Sequence, residues 1–340
     1  MEKADTVLDV TQLEVRFRIE EGDLPAVNGV DFSLRRGSTL ALVGESGCGK
    51  SVTSLAIMRL INPPGRIAGG SIRIQPSGRD TIDITALSEK DDLLYSVRGG
   101  MIGMIFQEPM TALSPVHTIG NQICEAILLH CNVNEKTAQE RAIAMLDNVG
   151  ISNAAQRMRQ YPHELSGGLR QRVVIAMALA AEPEILIADE PTTALDVTIQ
   201  AQILQLLKEL QQKTGVSILF ITHDLGVVAQ VADDVAVMYM GRIAEYGPVR
   251  NVLKNPRHPY TRALLQSLPA LHRRGERLAS IPGRVPSLAN VPEGCSFHPR
   301  CQYAEQKLCD IPPAPQLQQA AEDHSTACLR WQDVFAEKTQ

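Results

Sequence analysis

Hydrophobic and polar positions alternate with two different periods along the chain. Between Leu8 and Leu42 the apolar segments are short and β-branched, which predicts antiparallel strands ending in a buried strand at 39–43. The runs "EILIADEP" and "VSILFITHD" predict two further buried strands. Helical spacing marks "SVTSLAIMRLI", residues 119–148, residues 169–181 and "TIQAQILQLLKELQQKTG". Strands alternating with helices predict an α/β fold with a mostly parallel sheet.

Two segments depart from this pattern. The polar stretch from Gln75 to Arg98 predicts a surface excursion. After Asn255 the composition changes, because half of the chain's 20 prolines lie between Pro256 and Pro315. Four cysteines follow in the same part of the chain. This composition predicts a loop-rich appendage separate from the α/β domain.

The overall composition limits the possible functions. The chain is 44% hydrophobic and 21% charged, and its net charge of −5 gives no basic excess of the kind that nucleic-acid binders carry. Apolar stretches such as "VVIAMALAA" are shorter than the roughly 18 residues of a membrane span. The start, "MEKADTVLDV", lacks the features of a signal peptide, so we expect a cytoplasmic protein. The chain has seven cysteines, and in a cytoplasmic protein these favour free thiols, metal ligands or cluster ligands over disulfides.

A phosphate-binding loop is predicted between the strand at 39–43 and the helix that follows. The segment "GESGCGKS" fits the pattern G-x-x-x-x-G-K-[ST] in the required strand–loop–helix context. Its backbone N–H groups would surround a β-phosphate, while Lys50 would reach the β- and γ-phosphates and Ser51 would bind Mg²⁺. Cys48 would contribute its backbone only. The predicted nucleotide-binding residues are Gly44, Glu45, Ser46, Gly47, Cys48, Gly49, Lys50 and Ser51.

Two acidic residues end the buried strand of "EILIADEP". Ligands collect at the carboxyl ends of parallel strands, so Asp189 is expected to face the Mg²⁺ shell. Glu190 is expected to polarise a water for in-line attack on the γ-phosphate.

A second anion site is predicted further along the chain from the phosphate loop, where "LSGGLRQR" places a Ser-Gly-Gly turn before a helix.

These motifs together resemble those of ABC-transporter ATPases. "LSGGLRQR" resembles the family signature, "MIFQEP" the Q-loop, "TALD" the D-loop and "ITHD" the switch-histidine segment, in the family's order. The resemblance implies a RecA-like core with a mostly parallel sheet, an antiparallel β subdomain and a helical signature subdomain at about 108–180. It places the ATPase domain at 7–257.

The resemblance also explains the second anion site. In this family two ATPase domains pack head to tail, and each ATP lies between the phosphate loop of one and the signature of the other. The signature residues Ser166, Gly167 and Gly168 would therefore contact the partner's γ-phosphate. A helix N-terminus supplied in trans stabilises the transferring charge only when the dimer is closed.

Four further residues receive roles from the resemblance. Gln107 would sense Mg²⁺ and the attacking water, and His223 would contact the γ-phosphate. Asp196 would cap the following helix and also contact the partner. Phe17 on the first strand would stack on adenine, although an aromatic residue on a strand is equally expected in the core. The implied ligands are ATP and Mg²⁺.

The C-terminal part resembles one branch of the importers. "NPRHPYTRALLQSLP" and "PEGCSFHPRC" resemble the extension of di- and oligopeptide import ATPases, here 258–340. The resemblance implies a second, similar ATPase, two transmembrane permeases and an extracytoplasmic binding protein, at the cytoplasmic face of the inner membrane. Nickel, an opine or glutathione remain alternative cargoes. DNA-repair and translation ATPases contain the same kind of ATPase domain. Their coiled coils and basic surfaces are not seen in this sequence, so we expect no nucleic-acid partner.

Four cysteines of the extension have a loose spacing. Cys295, Cys301, Cys309 and Cys328 follow the pattern C-x5-C-x7-C-x18-C in a segment with few apolar residues. Small loop-rich modules usually need a staple, and cytoplasmic thiolates favour a metal or cluster. The paired C-x2-C of zinc ribbons is missing. Four such thiolates suit a [4Fe–4S] cluster, as in the subfamily that this tail resembles; zinc and unligated thiols are the alternatives.

Overall fold

The structure is a computed structural model that describes residues 6–20, 22–107, 112–193, 195–268 and 280–335. Residues 108–111 of the predicted helical subdomain and Ala194 of the predicted D-loop lie outside these ranges. The described residues form two compact units. The first unit contains those within Met1–Leu8, Leu34–Thr39 and Arg73–Ile221, and the second contains those within Asp9–Ser33, Leu40–Ile72 and Thr222–Gln340.

Strands and helices alternate through the middle of the chain, as the hydrophobic pattern predicts. The strands are β1 (Thr6–Ile19), β2 (Gly22–Arg35), β3 (Thr39–Val43), β4 (Gly65–Ile74), β5 (Ile82–Asp83), β6 (Ile102–Ile105), β7 (Ile185–Asp189), β8 (Ser217–Thr222), β9 (Asp234–Tyr239), β10 (Arg242–Pro248), β11 (Gln318–Ala321) and β12 (His324–Thr326). The α-helices are α1 (Lys50–Ile57), α2 (Asp92–Val97), α3 (Ile119–His130), α4 (Glu135–Asn148), α5 (Ala154–Arg157), α6 (Gly167–Leu179), α7 (Val197–Thr214), α8 (Leu225–Val231), α9 (Val249–Lys254), α10 (Pro259–Gln266) and α11 (Trp331–Val334).

Parallel strands form the centre of the first unit. Strand β7 lies between β6 and β8, with Ile102 opposite Ile185 and Asp189 opposite Ile221. Every residue of β7 and β8 is buried, which is why both strands read as continuous apolar runs. The carboxyl ends of β6 and β7 therefore lie at the same edge, where Gln107 and Glu190 follow them.

The second unit contains two sets of strands. Strand β3 runs parallel to β9, and the antiparallel strands β10, β12 and β11 follow on the far side of β9. Strands β2, β1 and β4 lie side by side in that order. On β1, Leu13 and Val15 are fully buried on either side of the half-buried Glu14, as alternation predicts. The alternation is broken at Gln12, whose φ of 47° is left-handed, so Val10 and Leu13 are both buried although they are three positions apart.

Polar side-chain caps fix where three of the longer helices start. Thr118, Asn134 and Asp196 each accept a hydrogen bond from the backbone N–H three residues further on, at the starts of α3, α4 and α7. Helix α7 ends at Gly215, whose φ of 73° is left-handed. The helix predicted over 119–148 is therefore two helices, because Asn134 starts a new one after α3 has ended.

One other expectation from the sequence needs correction, and one pair of strands was not predicted. The stretch 75–98 is more than a surface excursion, because it contains β5 and α2 and fully buries Ile84, Leu94 and Val97. The hydrophobic pattern also failed to single out β9 and β10. Met240-Gly241 connects the two strands, and this pair is not among the Asn-Gly, Asp-Gly or Gly-Gly turns that usually indicate a hairpin.

The proline-rich C-terminal segment shares the core of the second unit. Tyr260 and Phe297 are buried beside Tyr239, with ring centroids 4.6 to 5.3 Å apart. The buried carboxylate of Glu245 in β10 contacts His324 Nε2 of β12 at 2.7 Å. The segment therefore packs on the preceding strands instead of building a core of its own, in agreement with its few apolar residues. None of the helices within the described ranges combines the length and the apolar composition that a membrane span needs.

Candidate functional site

The phosphate loop curls at the start of α1 in the second unit. Gly49 has φ 107°, and a Cβ there would lie 2.5 Å from the carbonyl oxygen of Ala26, so only glycine fits. The ammonium of Lys50 is buried and donates to the carbonyl oxygens of Gly44 at 2.9 Å and Glu45 at 3.1 Å. These two hydrogen bonds hold the ammonium of Lys50 against the loop, where it can also contact a phosphate that the loop binds.

The remaining loop residues differ in exposure. Ser46 and Gly47 are exposed at the tip of the loop, and Ser51 is half-buried in the first turn of α1. Cys48 is buried, and this burial raises the pKa of its thiol although the neighbouring Lys50 opposes the shift. A neutral buried thiol contributes packing. The role of the Cys48 backbone in nucleotide binding stays a prediction.

Two predicted catalytic residues meet in the first unit. Gln107 Nε2 donates to Glu190 Oε2 at 3.2 Å, and Thr193 Oγ1 donates to the same oxygen at 2.9 Å. Glu190 has φ 47°, a left-handed conformation that costs a non-glycine residue about 1–3 kcal/mol. Asp189, directly before it, is buried at the end of β7. Such strain with two side-chain contacts on one carboxylate is typical of a functional position.

The signature turn presents the start of a long helix. Ser166 precedes α6, is exposed, and its hydroxyl makes no capping hydrogen bond to the helix. A Cβ at Gly167 would meet no atom within 4 Å, and Gly168 lies near Ile199. The first N–H groups of α6 thus start at an exposed, open turn, which can receive an anion.

A contact within the first unit was not foreseen from the sequence. Gln171 in α6 donates from its buried amide to the carbonyl oxygen of Pro191 at 2.7 Å. The signature helix is thereby tied to the segment that carries Glu190. Sequence alone gives no signal for this pair, because the two residues are 20 positions apart and both could equally face solvent.

Three other predicted residues lie where the sequence placed them. Asp196 caps α7 by accepting from Ile199 N–H at 2.9 Å, as predicted. His223 is exposed directly after β8. Phe17 is half-buried on β1 beside Gly65, where a Cβ would lie 2.6 Å from the Phe17 ring. Its ring therefore packs partly on the protein, and adenine stacking stays a prediction.

The four cysteines of the extension line one cavity, together with His258, Phe297 and Tyr303 among others. Burial raises the pKa of Cys295 to about 11 and that of Cys328 to about 12, and neighbouring thiols add to both shifts. None of the four forms a disulfide. Among the described residues, no group of three or more His, Cys, Asp or Glu side chains is arranged to hold a metal ion. This finding gives the predicted iron–sulfur cluster no support.

Comparisons with known proteins agree with the motifs. The family model "ABC transporter" matches residues 27–193, and "Oligopeptide/dipeptide transporter, C-terminal region" matches 244–309. A putative peptide import ATP-binding protein of Brucella abortus is 52% identical over 97% of this chain and 98% of its own length. The oligopeptide transport ATP-binding protein OppD of Bacillus subtilis is 51% identical over 95% of this chain and 88% of its own.

A solved structure shares the fold. The dimeric ATP-binding cassette MJ0796, in a post-hydrolysis state bound to ADP and Pi, is 26% identical with a TM-score of 0.62. The match covers 72% of this chain and 99% of that protein.

Proposed function

This chain belongs to the ABC transporter family of ATPases, and we propose that it energises the import of peptides. The predicted α/β ABC ATPase fold is confirmed, and the chain couples ATP hydrolysis to transport. One observation carries the peptide assignment. Similarity to peptide import ATP-binding proteins extends over 97% of the chain, including the C-terminal region.

The phosphate loop supplies the ATP site. Lys50 and the loop N–H groups would hold the β- and γ-phosphates, with the loop residues 44–51 surrounding them. Ser51, Gln107 and Asp189 are the proposed Mg²⁺ ligands. When bound, Mg²⁺ neutralises phosphate charge and orients the γ-phosphate. Phe17 is the proposed adenine contact.

Glu190 would act as general base on the attacking water. Its carboxylate already accepts hydrogen bonds from Gln107 and Thr193 on one oxygen, which fixes its direction. His223 would contact the γ-phosphate from the end of β8. Because Glu190 directly follows the buried strand β7, the base is held at the end of a rigid element.

Hydrolysis would require a second ATPase subunit packed head to tail. Ser166, Gly167 and Gly168 would contact the partner's γ-phosphate, and Asp196 would contact the partner near its own helix cap. The exposed, open signature turn supports this arrangement, and MJ0796, a cassette of similar fold, is dimeric. We propose a heterodimer with a similar ATPase, two transmembrane permeases and an extracytoplasmic binding protein, on the cytoplasmic face of the membrane.

The proposed domain boundaries follow from the motifs. The ATPase domain would cover 7–257, with the helical subdomain at about 108–180, and the extension would cover 258–340. Helices α3 to α6 support the helical subdomain. The extension shares a hydrophobic core with β9 and β10, which supports an appendage that is stable only on the ATPase domain.

We expect a reconstituted transporter to import short peptides when ATP is supplied. Proteoliposomes would contain this chain, its partner ATPase and the permeases, with the binding protein and a radiolabelled peptide outside. Lys50→Ala in this chain is the matched negative variant. Competition with unlabelled Ni²⁺, an opine and glutathione tests the alternative cargoes. Uptake of one of these in place of peptides would contradict the peptide assignment, and ATP-independent uptake would contradict the energising role.

The extension's cysteines would hold a [4Fe–4S] cluster. The four thiols line one cavity, which supports a shared group, and each iron of a cluster takes its own thiolate. Donors can then stand further apart than they do around a single ion. The cluster's role would be structural, holding the extension on the ATPase domain.

Anaerobically purified protein is therefore expected to be brown, with broad absorption near roughly 400 nm. The double variant Cys301→Ser, Cys309→Ser should lose this absorption, because two of the four ligands are removed. Cys124→Ser in α3 is the matched control and should keep it. Colourless anaerobic protein, with stoichiometric zinc or with no metal, would refute the cluster.

A further inference from the structure

One arginine of the C-terminal extension is directed at the phosphate loop. The side chain of Arg300 is only 4% exposed, and its Nη1 and Nη2 donate to the two carboxylate oxygens of Glu45 at 2.6 and 3.1 Å. Its Nε donates to the carbonyl oxygen of Pro282 at 3.0 Å. Tyr239 and Phe297 lie within 6.0 Å of the guanidinium. These four contacts fix the orientation of the planar guanidinium.

Glu45 is in turn held at three points. Its N–H donates to Tyr260 Oη at 2.9 Å, its carbonyl oxygen accepts from Lys50, and its carboxylate binds Arg300. Tyr260 is fully buried in α10. Two of the three anchors thus come from residues more than 200 positions along the chain, in the proposed extension.

The ion pair between Arg300 and Glu45 affects the charge of the phosphate loop. Glu45 follows the first glycine of the loop, so its carboxylate lies in the segment expected to surround a polyphosphate. A bare carboxylate there repels phosphate, and a bidentate guanidinium cancels that charge. The hydrogen bond to Glu45 is also the main reason why the pKa of Arg300 lies above its usual value.

We propose that Arg300 is a positioning residue for ATP binding, through which the C-terminal extension neutralises and fixes Glu45 in the phosphate loop. Together with Tyr260 it holds the loop backbone in the shape that receives phosphate. The inference rests on the proposed function in one respect, namely that this loop binds ATP. It adds that the extension contributes to nucleotide affinity, beyond any role in docking or cluster binding.

Arg300→Met tests the inference in the full-length chain. This variant keeps apolar stem volume and leaves Glu45 charged, so the Kd for MgATP should rise about tenfold, equal to about 1.4 kcal/mol. In the assembled transporter KM for ATP should rise while kcat stays near the wild-type value, because Glu190 and Gln107 are untouched. The nearby exposed Arg284→Met is the matched control and should leave both constants unchanged.

Rescue separates the charge effect from damage to the fold. Adding Glu45→Gln to Arg300→Met removes the unpaired carboxylate and should restore MgATP affinity. The affinity loss of Arg300→Met should also shrink as ionic strength rises, because salt screens the repulsion. Unchanged affinity in a folded Arg300→Met chain, or a loss that the second substitution and salt leave intact, overturns the inference.

A milder variant covers the case in which Arg300→Met does not fold. Tyr260→Phe keeps the aromatic packing and deletes only the contact to the Glu45 N–H, so a several-fold weaker MgATP affinity with near-normal kcat is expected. Wild-type affinity in Tyr260→Phe, when Arg300→Met is unfolded, overturns the inference. Failure of the wild-type chain itself to bind MgATP would refute the proposed function instead.

Discussion

Glu190→Gln is expected to reduce ATP hydrolysis by a factor of hundreds or more, on the order of 4 kcal/mol of barrier, while MgATP binding stays intact. The amide has nearly the shape of the carboxylate and keeps contacts to Gln107 and Thr193 available, but it cannot accept a proton from water. Steady-state hydrolysis in the assembled transporter and MgATP titration of the same preparation measure the two effects separately.

The same substitution should trap the ATP-bound dimer. If ATP holds the two ATPases together and hydrolysis releases them, a chain that binds without hydrolysing accumulates in the closed state. Size-exclusion chromatography with and without MgATP would detect it. Glu140→Gln on the exposed face of α4 is the matched control and should behave as the wild type. Near-normal turnover of Glu190→Gln would exclude Glu190 as the base.

Elements with strong local signals could be predicted from the sequence. Helix α7 has a capping aspartate at one end, Gly215 at the other and a regular apolar stripe between them, so its limits agree with the prediction. Strands β7 and β8 are continuous apolar runs of the length expected for buried strands. In each case the residues that decide the structure are neighbours in the chain.

Elements that depend on distant partners could not be predicted. Strand β12 is only three residues long and is stabilised by pairing with β10 and by the contact of His324 with Glu245. No local pattern of three residues indicates a strand. The break between α3 and α4 lies at Asn134, a cap that stands within a run of helical spacing and gives no break in the hydrophobic pattern.

The same distinction between neighbouring and distant residues applies to the candidate site. The phosphate loop and the acids after β7 are contiguous motifs, so their residues could be named from the sequence. The contact of Arg300 with Glu45 joins positions 255 residues apart, and nothing in either segment indicates the other. For the cysteines, the spacing indicated a shared site, but the arrangement of the thiols depends on how the whole extension folds.

The trans arrangement of the signature predicts the outcome of mixing two defective chains. One chain carries Lys50→Ala and the other Ser166→Arg, which places a bulky cation at the start of α6. In a head-to-tail dimer both defects fall in the same composite site, and the other site keeps its own Lys50 and its own Ser166. We therefore expect the mixed dimer to retain roughly half of the wild-type hydrolysis, whereas dimers of either variant alone lose nearly all of it.

The reciprocal pairing gives the opposite expectation and is the control. A chain that carries both substitutions, mixed with wild type, puts one defect into each composite site, so hydrolysis should be nearly abolished. If Ser166 served the phosphate loop of its own chain, the two results would be exchanged, and the head-to-tail arrangement would be wrong. In a heterodimer, the substitutions are divided between this chain and the equivalent positions of its partner ATPase. Because both pairings contain the same two substitutions, instability of either variant would lower both activities together and could not produce this reversal.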